Sequence, residues 1–298
     1  RRRAPQRAAP SSTRTKPLSK TTSTHQPDVR ASIGTSADPS AQYLQHPLSA
    51  PIVRDFRHFF AATQIATVCK AQVYVGPRMG WRTVAKLTVR APQPVESISA
   101  KTPRTGKGTH ATALTSAPVI GIFAPGTHHV LPLLSSAAHH PAINDAVHEI
   151  HAATRSCSVP GYNGKDHGGL SYIALAVESN TTLVQLVLVW NAAGAHELGK
   201  HLLDTFVSDL VRRRSWHSIW CHYHRADKHN NAIFGREAAQ WIQVHGDPCP
   251  LSERLRFKGG MNPAPPLYLP PTVFRQANLK GFSRIIKSIR TWLVNLPV

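Results

Sequence analysis

The chain is 298 residues long and 41% hydrophobic, and it carries 35 Lys and Arg against 15 Asp and Glu, a formal net charge of +20. That length admits one large or two ordinary domains, and no apolar run reaches the roughly 20 residues of a membrane-crossing helix, which argues for a soluble protein without a membrane partner. A positive surplus of this size attracts polyanions and speeds their encounter, so nucleic acid is the expected partner, with RNA and DNA both open.

The surplus is not confined to one end. Between Phe56 and Asn144 the sole acid is Glu96 against nine Lys and Arg, and after Glu253 there is no acid against eight. The first fifty residues form a Ser/Thr/Pro/Ala background bearing Arg1, Arg2, Arg3, Arg7, Arg14, Lys16, Lys20 and Arg30. Such a stretch buries too little surface to offset its ordering entropy and is expected to be a disordered tail. Its Arg-rich, acid-poor character suits an organellar transit peptide, for chloroplast or mitochondrion, although Pro5, Pro10 and Pro17 interrupt a long amphipathic helix. An untargeted basic arm, with the protein in the cytoplasm, is the other reading.

From Pro51 onward the pattern is of mixed strands and helices. Val68–Val75, Arg82–Val89 and Val119–Phe123 read as strands. Residues 92–117 lack apolar rhythm and read as a surface insertion. Pro141 stands at a first helical position, with Ile143, Val147 and Ile150 following at helical spacing. Ser171–Glu178 and Leu183–Trp190 read as a strand pair joined by the polar turn 179–182. A helix is expected over Lys200–Arg213, then strands at Ser218–Tyr223 and Ala232–Phe234. The economical architecture is α+β: a mixed, mainly antiparallel sheet with helices packed on it.

Five prolines between Pro263 and Pro271 mark a joint. Beyond it, Phe282, Ile285, Ile286, Ile289 and Leu293 line one face of a helix whose other faces carry Lys280, Arg284, Lys287 and Arg290. The expected division is therefore a tail at 1–50, a central domain at 51–262, and a joint with the start of a second domain at 263–298.

Cys69, Cys157, Cys221 and Cys249 lie too far apart for a close metal or redox pair and read as free thiols. Among eighteen histidines the densest group is His217, His222, His224 and His229 with Cys221. Strand alternation sends His222 and His224 to one face with Trp220, and Cys221 and Tyr223 to the other, so no metal site is expected. A histidine-based metalloprotein is kept as the weakest alternative.

Six motifs occur in order: Gly80-Trp81-Arg82-Thr83-Val84-Ala85-Lys86-Leu87, Ile120-Gly121-Ile122-Phe123-Ala124-Pro125-Gly126-Thr127-His128, Ala138-His139-His140-Pro141-Ala142-Ile143-Asn144, Val184 to Asn191, Asn231-Ala232-Ile233-Phe234-Gly235, and Pro271-Thr272-Val273-Phe274-Arg275-Gln276-Ala277-Asn278. Together they resemble the RNA uracil-5-methyltransferase family, most closely its plant and cyanobacterial type, over about four-fifths of the chain. The resemblance implies a central RNA-contacting domain followed by a doubly wound, Rossmann-like methyltransferase domain. There a cysteine attacks carbon 6 of uracil, S-adenosylmethionine methylates carbon 5, and a general base removes the proton.

Carried onto this sequence, the resemblance puts Gln276 at a cofactor-contacting position, with Phe274 and Asn278 shaping the same pocket. Arg82, Lys86 and Arg90 are the expected phosphate contacts flanking a flipped base. The glycine-rich loop, the catalytic cysteine and the terminal base have no counterpart here, and the expectation is that they belong beyond Val298, leaving this chain truncated and inactive alone. An iron–sulfur cluster, held in many relatives, is not expected: residues 42–51 contain no cysteine, and Ser136 stands at the later ligand position. Val84 replaces a second basic residue often seen in the Gly-Trp-Arg motif. The sequence thus reads as an RNA (uracil-5-)methyltransferase acting on tRNA or rRNA that lacks most of its catalytic domain. A non-catalytic basic RNA-binding module is the alternative.

Overall fold

The computed structural model describes residues 38, 41–44, 46–63, 73–92, 117–164, 169–178, 181–199, 201–225, 233–234, 240–255 and 265–295. All lie in one compact unit, Ser36–Val298. Most of the basic tail and nearly all of the 92–117 insertion fall outside these residues. Asp38, which the sequence assigns to the tail, is buried, and Ser136 Oγ donates a hydrogen bond to its carboxylate.

In chain order the described elements are α1 (Pro51–Ala62), β1 (Val84–Arg90), β2 (Val119–Phe123), β3 (Val130–Pro132), α2 (Pro141–Ser156), β4 (Leu170–Val177), β5 (Val184–Trp190), α3 (Leu202–Arg213), β6 (Ser218–Tyr223), β7 (Trp241–Gly246), β8 (Leu251–Glu253), β9 (Leu267–Leu269) and α4 (Leu279–Val294). Helix α2 starts where Pro141 pre-sets the backbone and needs no amide partner. Its His140 cap accepts a hydrogen bond from the Ala142 N–H at Nδ1, 3.3 Å away.

Strands β1 to β7 form one sheet in the order β3-β2-β1-β4-β5-β6-β7. Every neighbouring pair is antiparallel except β5 and β6, whose parallel alignment requires the crossover that carries α3. The sheet is therefore mixed and mainly antiparallel, as the alternation in the sequence predicts. Strands β8 and β9 pair separately as a short antiparallel ribbon.

Each inner strand divides its side chains between two faces. Ala85, Leu87 and Val89 of β1 join Leu175 and Val177 of β4 and Leu186, Leu188 and Trp190 of β5 against Ile143, Val147 and Ile150 of α2 and Phe206 and Leu210 of α3. Their removal from water is the main stabilising contribution of the fold. The opposite face carries a smaller apolar cluster of Ala174, Val187 and Val189, bordered by Tyr172, Trp220, Phe234 and Trp241. No helix covers it among the described residues, and this second face is the one that forms a cleft.

Two expectations change. Val73, Tyr74 and Val75 are exposed and outside any strand, while the rest of the Val68–Val75 stretch lies outside the described residues. Ile233 and Phe234 form a bend rather than a strand. The sheet takes β7 in the place next to β6 instead, pairing Trp220 with Gln243 and His222 with Trp241. Helix α4 forms as the amphipathic pattern predicts, and none of its residues is buried. No helix among the described residues is long and apolar enough to cross a membrane.

Candidate functional site

The uncovered sheet face and the stretch Pro270–Ala277 enclose a cleft of about 470 Å³. Two anchors hold that stretch in place. The N–H and Oγ1 of Thr83, just ahead of β1, both donate to the carbonyl of Ala277, at 2.9 and 3.2 Å. The Arg275 guanidinium, almost fully buried, pairs with the Glu253 carboxylate on β8 and donates to the Val177 carbonyl at 2.6 Å. Burial lowers the pKa of Arg275 and the facing carboxylate of Glu253 opposes that shift.

Glu178 completes the clasp by accepting hydrogen bonds from Ser252 and Thr181, each at 2.5 Å. Burial pushes its carboxyl up, but hydrogen bonds from Ser252 and Thr181, with His217 nearby, together hold it below the ordinary carboxylate value.

The cleft brings together four of the six residues that the sequence singles out. Arg82 and Lys86 line the sheet side, and Phe274 and Gln276 line the facing stretch. Lys86 reaches solvent, yet partial burial lowers its amine from the ordinary lysine value. Arg82 spends one donor locally, Nε to the Val84 carbonyl at 3.1 Å. Phe274 is 80% exposed, so most of its ring surface is open to solvent at the cleft.

The other two residues lie elsewhere. Arg90, at the far end of β1, is enclosed: Nη1 donates to the Val89 and Ser171 carbonyls at 2.8 and 2.7 Å, and the guanidinium lies 4.8 to 5.1 Å from the rings of Phe123, Tyr162 and Tyr172. Its surroundings are those of a packing cation that ties β1 to β2 and β4 rather than of a phosphate contact. Asn278 does not line the cleft. Its Oδ1 accepts the Gly281 N–H at 2.9 Å, which caps α4.

Sequence reasoning does not single out two further cleft residues. Gln185 is a buried amide in a strand otherwise made of apolar residues, and that break in the pattern is the available signal. Phe234 belongs to the fifth motif, where the apolar run implies a strand. In the structure its ring joins an aromatic group, 5.2 Å from Trp241 and 5.8 Å from His222, with Lys86 Nζ above it at 4.5 Å. His222 in turn stacks on Trp241 at 4.2 Å. Burial, with His224 beside it, lowers the His222 pKa to about 4.

The described cysteines stand apart from this cleft. Cys221 is buried in the helix-side core, where burial raises its thiol to about 12. Cys157 is half-buried, and Cys249 is exposed beside Asp247, which raises its thiol. A thiol above its ordinary pKa is a weaker nucleophile at neutral pH. Among the described residues no group of three or more His, Cys, Asp or Glu is placed to hold a metal ion. Among the described residues, the arrangement offers cations, exposed or half-exposed rings and side-chain amides around one groove.

No protein-family model matches the chain. In sequence it is similar to an uncharacterized RNA methyltransferase of Protochlamydia amoebophila, 28% identical over 225 residues that make up 74% of this chain and 50% of that protein. It is also similar to an uncharacterized RNA methyltransferase of Geobacter sulfurreducens, 27% identical over 179 residues, 59% of this chain and 32% of that protein. The chain thus spans half the length of the first relative and about a third of the second. Among solved structures it is similar to Pyrococcus abyssi tRNA (uracil-54, C5)-methyltransferase in complex with S-adenosyl-L-homocysteine, at 14% identity and a TM-score of 0.47, covering 71% of this chain and 41% of that one.

Proposed function

We propose that this chain is a member of the RNA uracil-5-methyltransferase family, a reading supported by its similarity to two RNA methyltransferases, and that it supplies the RNA-holding part of an enzyme that methylates carbon 5 of a uridine in tRNA or rRNA. The observation that carries this reading is the meeting of Arg82 and Lys86 with Phe274 and Gln276 across one cleft. Cations on the sheet side suit phosphates, and a ring and an amide opposite suit a nucleoside. The net charge of +20 adds a field that draws RNA to the groove.

S-adenosylmethionine, as the methyl donor of this reading, supplies the methyl group. Gln276 and Phe274 fit one wall of a site for it: an amide able to donate and accept, and a ring with most of its surface free. Asn278 does not share that wall, because its side chain is committed to the cap of α4. The work of this chain's own residues is to bind and orient RNA, since none of the three described cysteines lines the cleft.

The test is the affinity for unpaired RNA as a function of salt, by fluorescence anisotropy. Arg82→Ala with Lys86→Ala is expected to weaken binding and to flatten the plot of log affinity against log salt by about 1.4, roughly 0.7 for each phosphate of a single strand that is no longer neutralised. An unchanged slope would show that neither side chain meets phosphate.

A further inference from the structure

We propose that Phe234 is the stacking seat for one unpaired nucleotide of the bound RNA, with Lys86 as the cation that pairs with that nucleotide's phosphate. This rests on the RNA-holding reading above and names one subsite within it. The ring of Phe234 is half-buried and lines the cleft together with Arg82, Lys86 and Gln185. Trp241 at 5.2 Å and His222 at 5.8 Å brace it from the sheet, so the ring is fixed before any ligand arrives.

Lys86 Nζ sits 4.5 Å over the Phe234 ring, and no carboxylate pairs with it among the described residues. A cation on an aromatic face is a modest attraction at a solvent-accessible site. A base stacking on the same face releases the amine to the stronger, charge-assisted bond with the phosphate attached to that base. The strand geometry suits a polymer: Arg82 and Lys86 are four positions apart, roughly 13 Å at the usual strand rise, which is wide enough to meet two phosphates of one strand. Gln185, buried on the cleft floor, donates from Nε2 to Ser218 Oγ at 3.4 Å, which fixes the amide at the edge of the groove. A cleft of about 470 Å³ lies in the size range of sites that enclose a small organic group, and a single nucleotide is such a group.

The test uses the full chain and three probes: a single-stranded RNA octamer, a blunt RNA duplex and uridine 5′-monophosphate. Phe234→Leu keeps apolar bulk and removes the π face, and unfolding curves establish that the variant remains folded. It is expected to lose about ten-fold or more in affinity for the single strand with the salt slope unchanged, while Phe234→Tyr retains wild-type binding. Lys86→Ala is expected to lower the slope by about 0.7, and duplex binding is expected to be unaffected by Phe234→Leu. A folded Phe234→Leu variant that binds the octamer as tightly as wild type overturns the subsite and leaves the RNA-holding reading intact. Wild-type protein that binds no RNA overturns that reading. Uridine 5′-monophosphate bound as tightly as the octamer overturns the polymer assignment.

Discussion

His222 is enclosed by Trp241, Phe234 and His224, and its ring stays neutral down to about pH 4 because burial disfavours the charged form. The unfolded chain takes up that proton near the ordinary histidine value of 6.5. Between those two values the unfolded state binds more protons than the native state, so stability falls as pH drops from about 6.5 to about 4 and is flat in this respect above that window. His139, also lowered by burial, contributes with the same sign. His222→Phe, which keeps a ring in the stack, is expected to lessen the loss of stability across this window, by up to about 1.4 kcal/mol per pH unit. Urea unfolding at pH 7, 6, 5 and 4 reads it, and parallel pH profiles for variant and wild type would remove His222 from the account. The same scale sets the limit of what charge in a sequence reveals. Arg82, Lys86 and Arg90 look alike as letters on or beside one strand, but only the first two open into the cleft, because Arg90 meets three rings contributed by distant parts of the chain.

At the scale of elements, β5 and α4 are opposites. Every residue of β5 is buried, since β4 and β6 flank it, the helices cover one face and the second cluster the other. Leu188→Ala, at a position with no exposure, is expected to cost about 2–5 kcal/mol, whereas Ile289→Glu on α4, 47% exposed, is expected to change stability by no more than about 0.5 kcal/mol. Urea midpoints of the two variants decide it, and equal losses would mean that α4 is packed into the fold. Elements with a clean period are legible: β1, β2, β4, β5, α3 and β6 fall within two residues of where their patterns put them, α2 starts at Pro141 as expected, and α4 contains the predicted apolar face. Strand β7 is not, because none of its six residues is buried, and the pairing that makes it a strand comes from β6 rather than from its own periodicity. Helix α1, which the sequence reading does not propose, likewise buries none of its residues.

For the molecule as a whole, the site depends on sequence positions that periodicity cannot connect. The motifs around Arg82 and Gln276 are legible one by one, but their meeting across a cleft follows from the Thr83–Ala277 hydrogen bonds and the Arg275–Glu253 pair. A buried ion pair of this kind is strongly unfavourable to break, because either partner alone leaves an uncompensated charge in the interior. It therefore fixes the register of the Pro270–Ala277 stretch against the sheet, and with it the width of the groove. The first and last of these parts, Thr83 and Ala277, stand 194 positions apart.

That long-range closure means the backbone joining β1 to β2 is not what keeps β1 in the sheet. Its ladders to β2 and β4, together with the two Thr83 hydrogen bonds, would persist if the polypeptide were severed between residues 93 and 116. Two halves made separately in one cell should accordingly find each other and co-purify as a complemented pair, and recovery of each half alone would mean that peptide continuity, not strand pairing, seats β1.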